Sequence, residues 1–275
     1  MYNYPYKEKD YAEVLLKKGF TSNHINHELK ILGKYYKSIG KDKDEIKELI
    51  ESFCKKYLKK YNRVTHFKML NTVLTYVDKE ENVLVQIDSV NITSNEVTYI
   101  SSLDINYMHK KLLFTLLVLD KLNKRYNEIR KGVVDSEHYF GGGAKYRELS
   151  STSHVKFKRS QNIHIIIGEL AKMGLLEIKN KGFVKLSFIY EIEESNDAEI
   201  IVEDFQSVGL YYDLHTEQDK VKRCECCKVP IKVKSNRSKY CEKCSVEISN
   251  EKNKEYARKS MKKARNKNVK GLESS

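Results

Sequence analysis

Residues 158–190 read KRSQNIHIIIGELAKMGLLEIKNKGFVKLSFIY. Ile163, Ile166, Ile167 and Leu170 recur at helical spacing, which predicts a helix from about Lys158 to Met173 with these side chains inward. Gly174 follows as a residue able to close a helix in the left-handed conformation. Leu175 to Ile178 reads as a short strand and Asn180-Lys181-Gly182 as a turn. Val184, Leu186 and Phe188 alternate as a second strand running from Phe183 to Tyr190. A helix that feeds directly into a hairpin sets the architecture of this part of the chain.

Upstream, Ala144 to Ser150 is expected to form a short helix. Ser151-Thr152-Ser153 is expected to end it, because their hydroxyls compete for backbone hydrogen bonds. Gly141-Gly142-Gly143 marks a loop. Its continuation, Ala144-Lys145, lacks the Gly-Lys-Ser/Thr ending of a phosphate-binding loop, so the glycines read as a turn. From Tyr107 to about Ile129 runs a longer helix carrying Leu112, Leu113, Phe114, Leu116, Leu117, Leu119 and Leu122, a density expected of the central helix of a domain. It is too short and too lysine-flanked to span a membrane. Thr93-Ser94-Asn95-Glu96 is a capping box, and Val83 to Ile87 is a short apolar run.

Residues 1–80 read as helical. One helix spans Asn23 to Ser38. Another follows Gly40, with Asp42 or Asp44 as cap and Ile46, Leu49, Ile50, Phe53, Cys54, Tyr57 and Leu58 on one stripe, which makes Cys54 a core thiol. His24, His27 and His66 have no partner at ligand spacing.

The order long helix, short helix, turn, longer helix, hairpin over roughly residues 95–190 resembles a winged helix-turn-helix. Leu170 to Leu176 looks like that family's junction between recognition helix and wing. The resemblance implies a second motif helix in the DNA major groove, with Lys156, Lys158, Arg159, Gln161 and Asn162 near the base edges. It also implies Lys179 and Lys181 at the wing tip near phosphate. The alternatives are a winged helix used for protein contacts, or a solvated helix start.

Glu191 to Phe205 is acidic and reads as a connecting acidic strand or linker, within an acidic connector at 193–220, rather than an acid/base site, since no histidine partner or paired-aspartate cluster accompanies the carboxylates.

The C-terminal part carries the most specific motif. Cys224 and Cys227 are two residues apart, as are Cys241 and Cys244, with thirteen residues between the pairs. Two such knuckles place four sulfurs on one ion and leave no open position, which predicts one structural Zn²⁺. A redox dithiol needs only one pair and a thioredoxin-like unit that is not visible. Cys226 makes a poorer knuckle and is left outside the site. Ile231 and Val233 alternate with Lys232 and Lys234 as a strand with one basic face, residues 235–238 form a turn, and a helix follows Cys244 to about Asn266.

Charge concentrates here. Residues 221–275 hold 17 Lys/Arg against six Glu, a net +11 of the chain's +13. A polyanion is the expected partner, and a solubilising tail is the alternative. The expected phosphate contacts are Lys232, Lys234, Arg237, Lys239, Arg258, Lys259, Lys262, Lys263 and Arg265. Residues 222–270 resemble the C-terminus of proteins from phages and mobile elements of low-G+C Gram-positive bacteria, which implies DNA-associated work.

With 40% hydrophobic and 32% charged residues and only two prolines, the chain of 275 residues is expected to be globular, α+β and mostly helical. The expected organisation is a helical region (1–90), a winged helix-turn-helix-like domain (91–192), an acidic connector (193–220) and a zinc ribbon with a basic helix (221–275). No leader-like segment or apolar run of 18 residues is present, so a cytoplasmic protein with reduced thiols is expected. The expected function is non-enzymatic DNA binding, with a transcriptional regulator or a replication or recombination accessory factor as the two forms. RNA as ligand and an adaptor docking on a host protein stay open. A nucleic-acid-processing enzyme needs acidic metal ligands or a nucleophile, and none is evident.

Overall fold

The computed structural model of the protein describes residues 6–133, 139–156, 162–193, 195, 197–217, 220–235 and 238–272, without the side chains of 142–144, 190–191 and 262–272. Four helices come first: α1 (Glu8–Lys18), α2 (Ile25–Ser38), α3 (Lys43–Tyr57) and α4 (Phe67–Asp78). Each is amphipathic, and their apolar stripes meet in one core of Tyr11, Leu15, Leu29, Leu32, Ile50, Phe53, Cys54, Val73 and Val77. Asp42 caps α3 in a reciprocal box with Glu45. Cys54 is fully buried, and burial pushes its thiol up to about 12.

The chain entering α1 is fastened to the central body. Glu8 N–H donates to the Val85 carbonyl at 2.9 Å, and Ile87 N–H donates to the Tyr6 carbonyl at 2.7 Å. The Glu8 carboxylate is buried, pairs with buried Lys34 of α2, and accepts from Val85 N–H at 2.8 Å. Val85 and Ile87 then point into the second core. The apolar run at residues 83–87 is therefore a seam between two bodies.

The second core forms around α6 (Tyr107–Lys131), in which twelve residues are buried. Asn106 caps its start and Gly132, at φ 64°, its end. Strand β1 (Val90–Thr93) leads into α5 (Ser94–Ser102) through the Thr93–Glu96 capping box. Lys121 of α6 also pairs with Glu96 at 2.6 Å. Strand β1 pairs antiparallel with β4 (Ala198–Val202), Val90 opposite Val202 and Ile92 opposite Ile200. The acidic stretch, expected as a connecting strand or linker, contains a strand. Ile200 and Val202 point into the core while Glu199 stays outside. After it, α9 (Val208–His215) packs on α6 and buries Val208, Tyr211 and Tyr212.

On the other side of α6 lie α7 (Gly142–Ser153), α8 (Ile163–Lys172) and a hairpin of β2 (Leu176–Lys179) and β3 (Phe183–Leu186). Helix α7 continues through the Ser-Thr-Ser run expected to end it. Thr152 and Ser153 are buried, and the Ser153 hydroxyl satisfies itself on the Ser150 carbonyl at 3.2 Å, so packing overrides local preference. Helix α8 is shorter than its periodicity predicted: it begins at Ile163, and its cap is Asn162. It ends at Gly174 (φ 77°), with Leu175 N–H on the Leu170 carbonyl at 3.0 Å. Strand β3 stops at Leu186. Phe188 instead starts a 3₁₀ turn, buried and stacked on Tyr99 with ring centres 5.1 Å apart. Phe140 adds a third strand position, exchanging both backbone hydrogen bonds with Val184 at 2.8 Å.

Helices α7 and α9 touch backbone to backbone. A Cβ on Gly209 would lie 1.9 Å from the Ser153 carbonyl oxygen and 2.7 Å from Lys111 Cε. Gly209→Ala is expected to destabilise the fold by about 1–3 kcal/mol through overpacking, read as a lowered midpoint in urea unfolding. An unchanged midpoint would show that the two helices separate freely.

Candidate metal centre and nucleic-acid surfaces

Strands β5 (Val221–Arg223) and β6 (Pro230–Lys232) pair antiparallel, with Arg223 opposite Pro230. The turn joining them carries Cys224 and Cys227. It is closed by Cys224 N–H on the Val229 carbonyl at 2.8 Å and Lys228 N–H on the Cys224 carbonyl at 3.0 Å. Lys228 sits at φ 64°. The second pair lies at a helix start, not on a matching knuckle. Cys241 immediately precedes α10 (Glu242–Leu272), and Cys244 lies in its first turn. There, backbone N–H groups free of helix partners can face sulfur. Cys244 N–H donates to Cys241 Sγ at 3.4 Å, and Cys241 N–H donates to Cys224 Sγ at 3.3 Å.

The four sulfurs of Cys224, Cys227, Cys241 and Cys244 lie within 4.8 Å of one another, with 3.6 Å between Cys227 and Cys241. In a tetrahedral site with metal–sulfur bonds of ~2.3 Å, sulfurs stand about 3.8 Å apart. The cluster therefore has the spacing of a four-thiolate metal site. Cys226 is exposed and outside it. Burial pushes the thiols of Cys227 and Cys244 up. At Cys224 burial also acts upward, but backbone donors from Cys227, Cys241 and Cys226 outweigh it and bring the thiol down to about 6. One sulfur is thus prepared as a thiolate, the form that binds metal.

The module has little else to fold around. Its core is Cys224, Ile231 and Cys244, with Val229 and Cys241 alongside. So small an apolar set cannot by itself offset the backbone entropy of ordering the module, and a metal ion on the four thiolates would add on the order of 10 kcal/mol or more.

The module is seated on the body through α9, which contacts both β5 and β6. Beneath that contact, Lys111 of α6 donates to Asp213 Oδ2 of α9 at 2.6 Å, and the Tyr107 hydroxyl donates to Asp213 Oδ1 at 2.6 Å. Lys111 and Asp213 are both buried. Burial lowers the Lys111 pKa against the pull of Asp213, and Lys232 of β6 lowers it further. Partners about a hundred positions apart leave no local pattern, so this network was not legible in the sequence.

The basic residues expected on nucleic acid fall into four groups. Around α8, Lys156 is exposed ahead of the helix. Lys158, Arg159 and Gln161 lie outside the described residues. Asn162 is exposed, but its side-chain oxygen accepts from Ile165 N–H at 3.1 Å, so it is a cap. Helix α8 itself exposes His164, Ile165 and Lys172, with Glu169 held by buried His109 at 2.8 Å. At the hairpin tip, Lys181 is exposed at φ 63° and Lys179 lies over the Tyr139 ring at 4.0 Å. Around the metal module, Lys232, Lys234 and Lys239 are exposed, Lys239 pairing with Glu225 at 3.7 Å. Arg237 lies outside the described residues. On α10, Arg258 and Lys259 are exposed, and Lys259 pairs with Glu255 at 2.6 Å. Lys262, Lys263 and Arg265 belong to the same helix, with side chains outside the described set. From Ser245 to Met261 only Ile248 is even partly covered, so α10 projects from the module. Among the described residues, no helix is long and apolar enough to cross a membrane.

Full-length protein is expected to take up one Co²⁺ per chain, with the thiolate absorption of a tetrahedral four-sulfur site. Cys226→Ser leaves that spectrum and stoichiometry intact, and Cys227→Ser abolishes them. The reverse pattern would move the ligand set to Cys226.

No protein-family model matches this chain, and neither the curated proteins nor the solved structures contain a match to it.

Proposed function

We propose that this chain is a zinc-containing DNA-binding protein, a transcriptional regulator or a replication or recombination accessory factor of a phage or mobile element. The observation that carries this reading is the arrangement on one side of α6. Helix α7, helix α8 and the β2–β3 hairpin follow one another, and Phe140 pairs with β3 as an additional strand. That is the order of a winged helix-turn-helix, with α8 in the place of the recognition helix and Lys181 at the wing tip. The exposed face of α8 carries Lys172 as its one lysine or arginine, so this helix offers shape and a few base contacts rather than charge. Charge comes from the metal module and α10. Zn²⁺ on the four cysteines holds the first turn of α10 in place, and the helix presents exposed Arg258 and Lys259 to the phosphate backbone, with Lys262, Lys263 and Arg265 following in the same helix.

A second reading, an adaptor docking on another protein, is favoured by the exposed Val246, Tyr256 and Met261 on the same helix. It requires a complex that is insensitive to salt and a chain without affinity for DNA.

The test is fluorescence anisotropy of a labelled random duplex with zinc-loaded full-length protein at several salt concentrations. Binding is expected to weaken steeply with salt. Replacing Arg258, Lys259, Lys262 and Lys263 by Gln should flatten the log–log slope by up to about 0.9 per lost phosphate contact. Absence of duplex binding at low salt would overturn the proposal.

A further inference from the structure

The connection between α3 and α4 carries a surface that neither the metal module nor the hairpin explains. No Asp or Glu occurs from Ser52 to Val77, whereas Lys55, Lys56, Lys59, Lys60, Arg63 and Lys68 fall in that stretch, all exposed, with Arg63 pairing back to Glu51 of α3 at 3.2 Å. Amid these cations two apolar side chains face water: Val64 is 84% and Phe67 65% exposed. The tip is a built turn. The Asn62 side-chain oxygen accepts from Val64 N–H at 2.8 Å. The Asn62 carbonyl accepts from the Thr65 hydroxyl at 3.1 Å and from His66 N–H at 3.0 Å. The Tyr61 and His66 rings lie against each other at 5.3 Å. Phe67 opens α4, so its Cα is fixed at a helix end and its ring projects from there.

We propose that residues 55–68 form a second nucleic-acid site, one that takes unpaired bases. Lysines alone would serve a duplex, whose base faces are hidden in the stack. A ring held in water among cations offers what a single strand adds, a base face to stack on while the phosphates meet Lys59 and Lys60. The inference rests on the DNA-binding reading above and extends it from duplex to melted or single-stranded DNA. An unpaired aromatic ring also sets it apart from the α10 surface, which acts through charge.

The experiment uses full-length zinc-loaded protein, a fluorescein-labelled oligo(dT) and a duplex of equal length. Phe67→Ala is expected to weaken oligo(dT) binding about tenfold, the scale of one lost base stack, and to leave duplex affinity within about twofold. Phe67→Trp, which keeps a stacking face, should restore oligo(dT) binding. Lys59→Ala with Lys60→Ala should flatten the oligo(dT) salt slope by about 0.7 per contact. If the wild type binds duplex while all variants bind oligo(dT) unchanged, the second site is refuted and the duplex reading survives. If the wild type binds no nucleic acid, both fall. If Phe67→Ala abolishes binding to equimolar phosphatidylcholine–phosphatidylserine vesicles and leaves oligo(dT) binding unchanged, the surface is a membrane contact and the proposal is overturned.

Discussion

The need to bury α6 on every side organises this molecule. Leu112, Leu113, Phe114, Leu116, Leu117, Val118 and Leu122 circle the helix and are all buried, so no single neighbour suffices. Cover comes from β1 and α5 before it in sequence, α7 and α8 just after it, and β4 and α9 from about residue 200 onward. The last of these determines where the C-terminal module sits. Helix α9 is held against α6 by apolar contacts and by the buried Lys111–Asp213–Tyr107 network. Breaking one partner of such a pair would strand a charge in the interior. The four-cysteine module rests on the outer side of that same helix.

Much of this was legible in the sequence where the signal is local. The Thr93–Glu96 box, an aspartate cap on α3 at Asp42 or Asp44 (Asp42 in the structure), the core position of Cys54, the Gly174 stop, the Asn180–Gly182 turn and the four converging cysteines each depend on residues within a few positions of one another or on a strict spacing. Misreadings came where distant contacts decide. Thr152 and Ser153 stay helical because α9 covers them. The strand alternative for residues 198–202 holds, but its pairing with β1, about a hundred positions earlier, left no local signal. The basic turn at residues 55–68 carries no periodic signal, since its cations lie at and beyond the exposed end of α3 rather than on its apolar stripe.

The surfaces proposed for nucleic acid divide by chemistry. The α8–hairpin unit has shape, one helix flanked by a lysine-tipped hairpin, and little charge of its own. Helix α10 has charge and almost no packing, so its orientation depends on the cysteines at its root. The turn before α4 combines cations with an exposed ring. Positioning through phosphates and discrimination through bases are separate tasks in nucleic-acid recognition, and this division matches them.

Hydrogen–deuterium exchange of the zinc-loaded full chain, with and without duplex DNA, tests the account most directly. It predicts slowed exchange on DNA addition in two places, residues 162–186 and the first turns of α10 after Cys244, with the α1–α2 core unchanged. Bound DNA with no protection in either segment would contradict it.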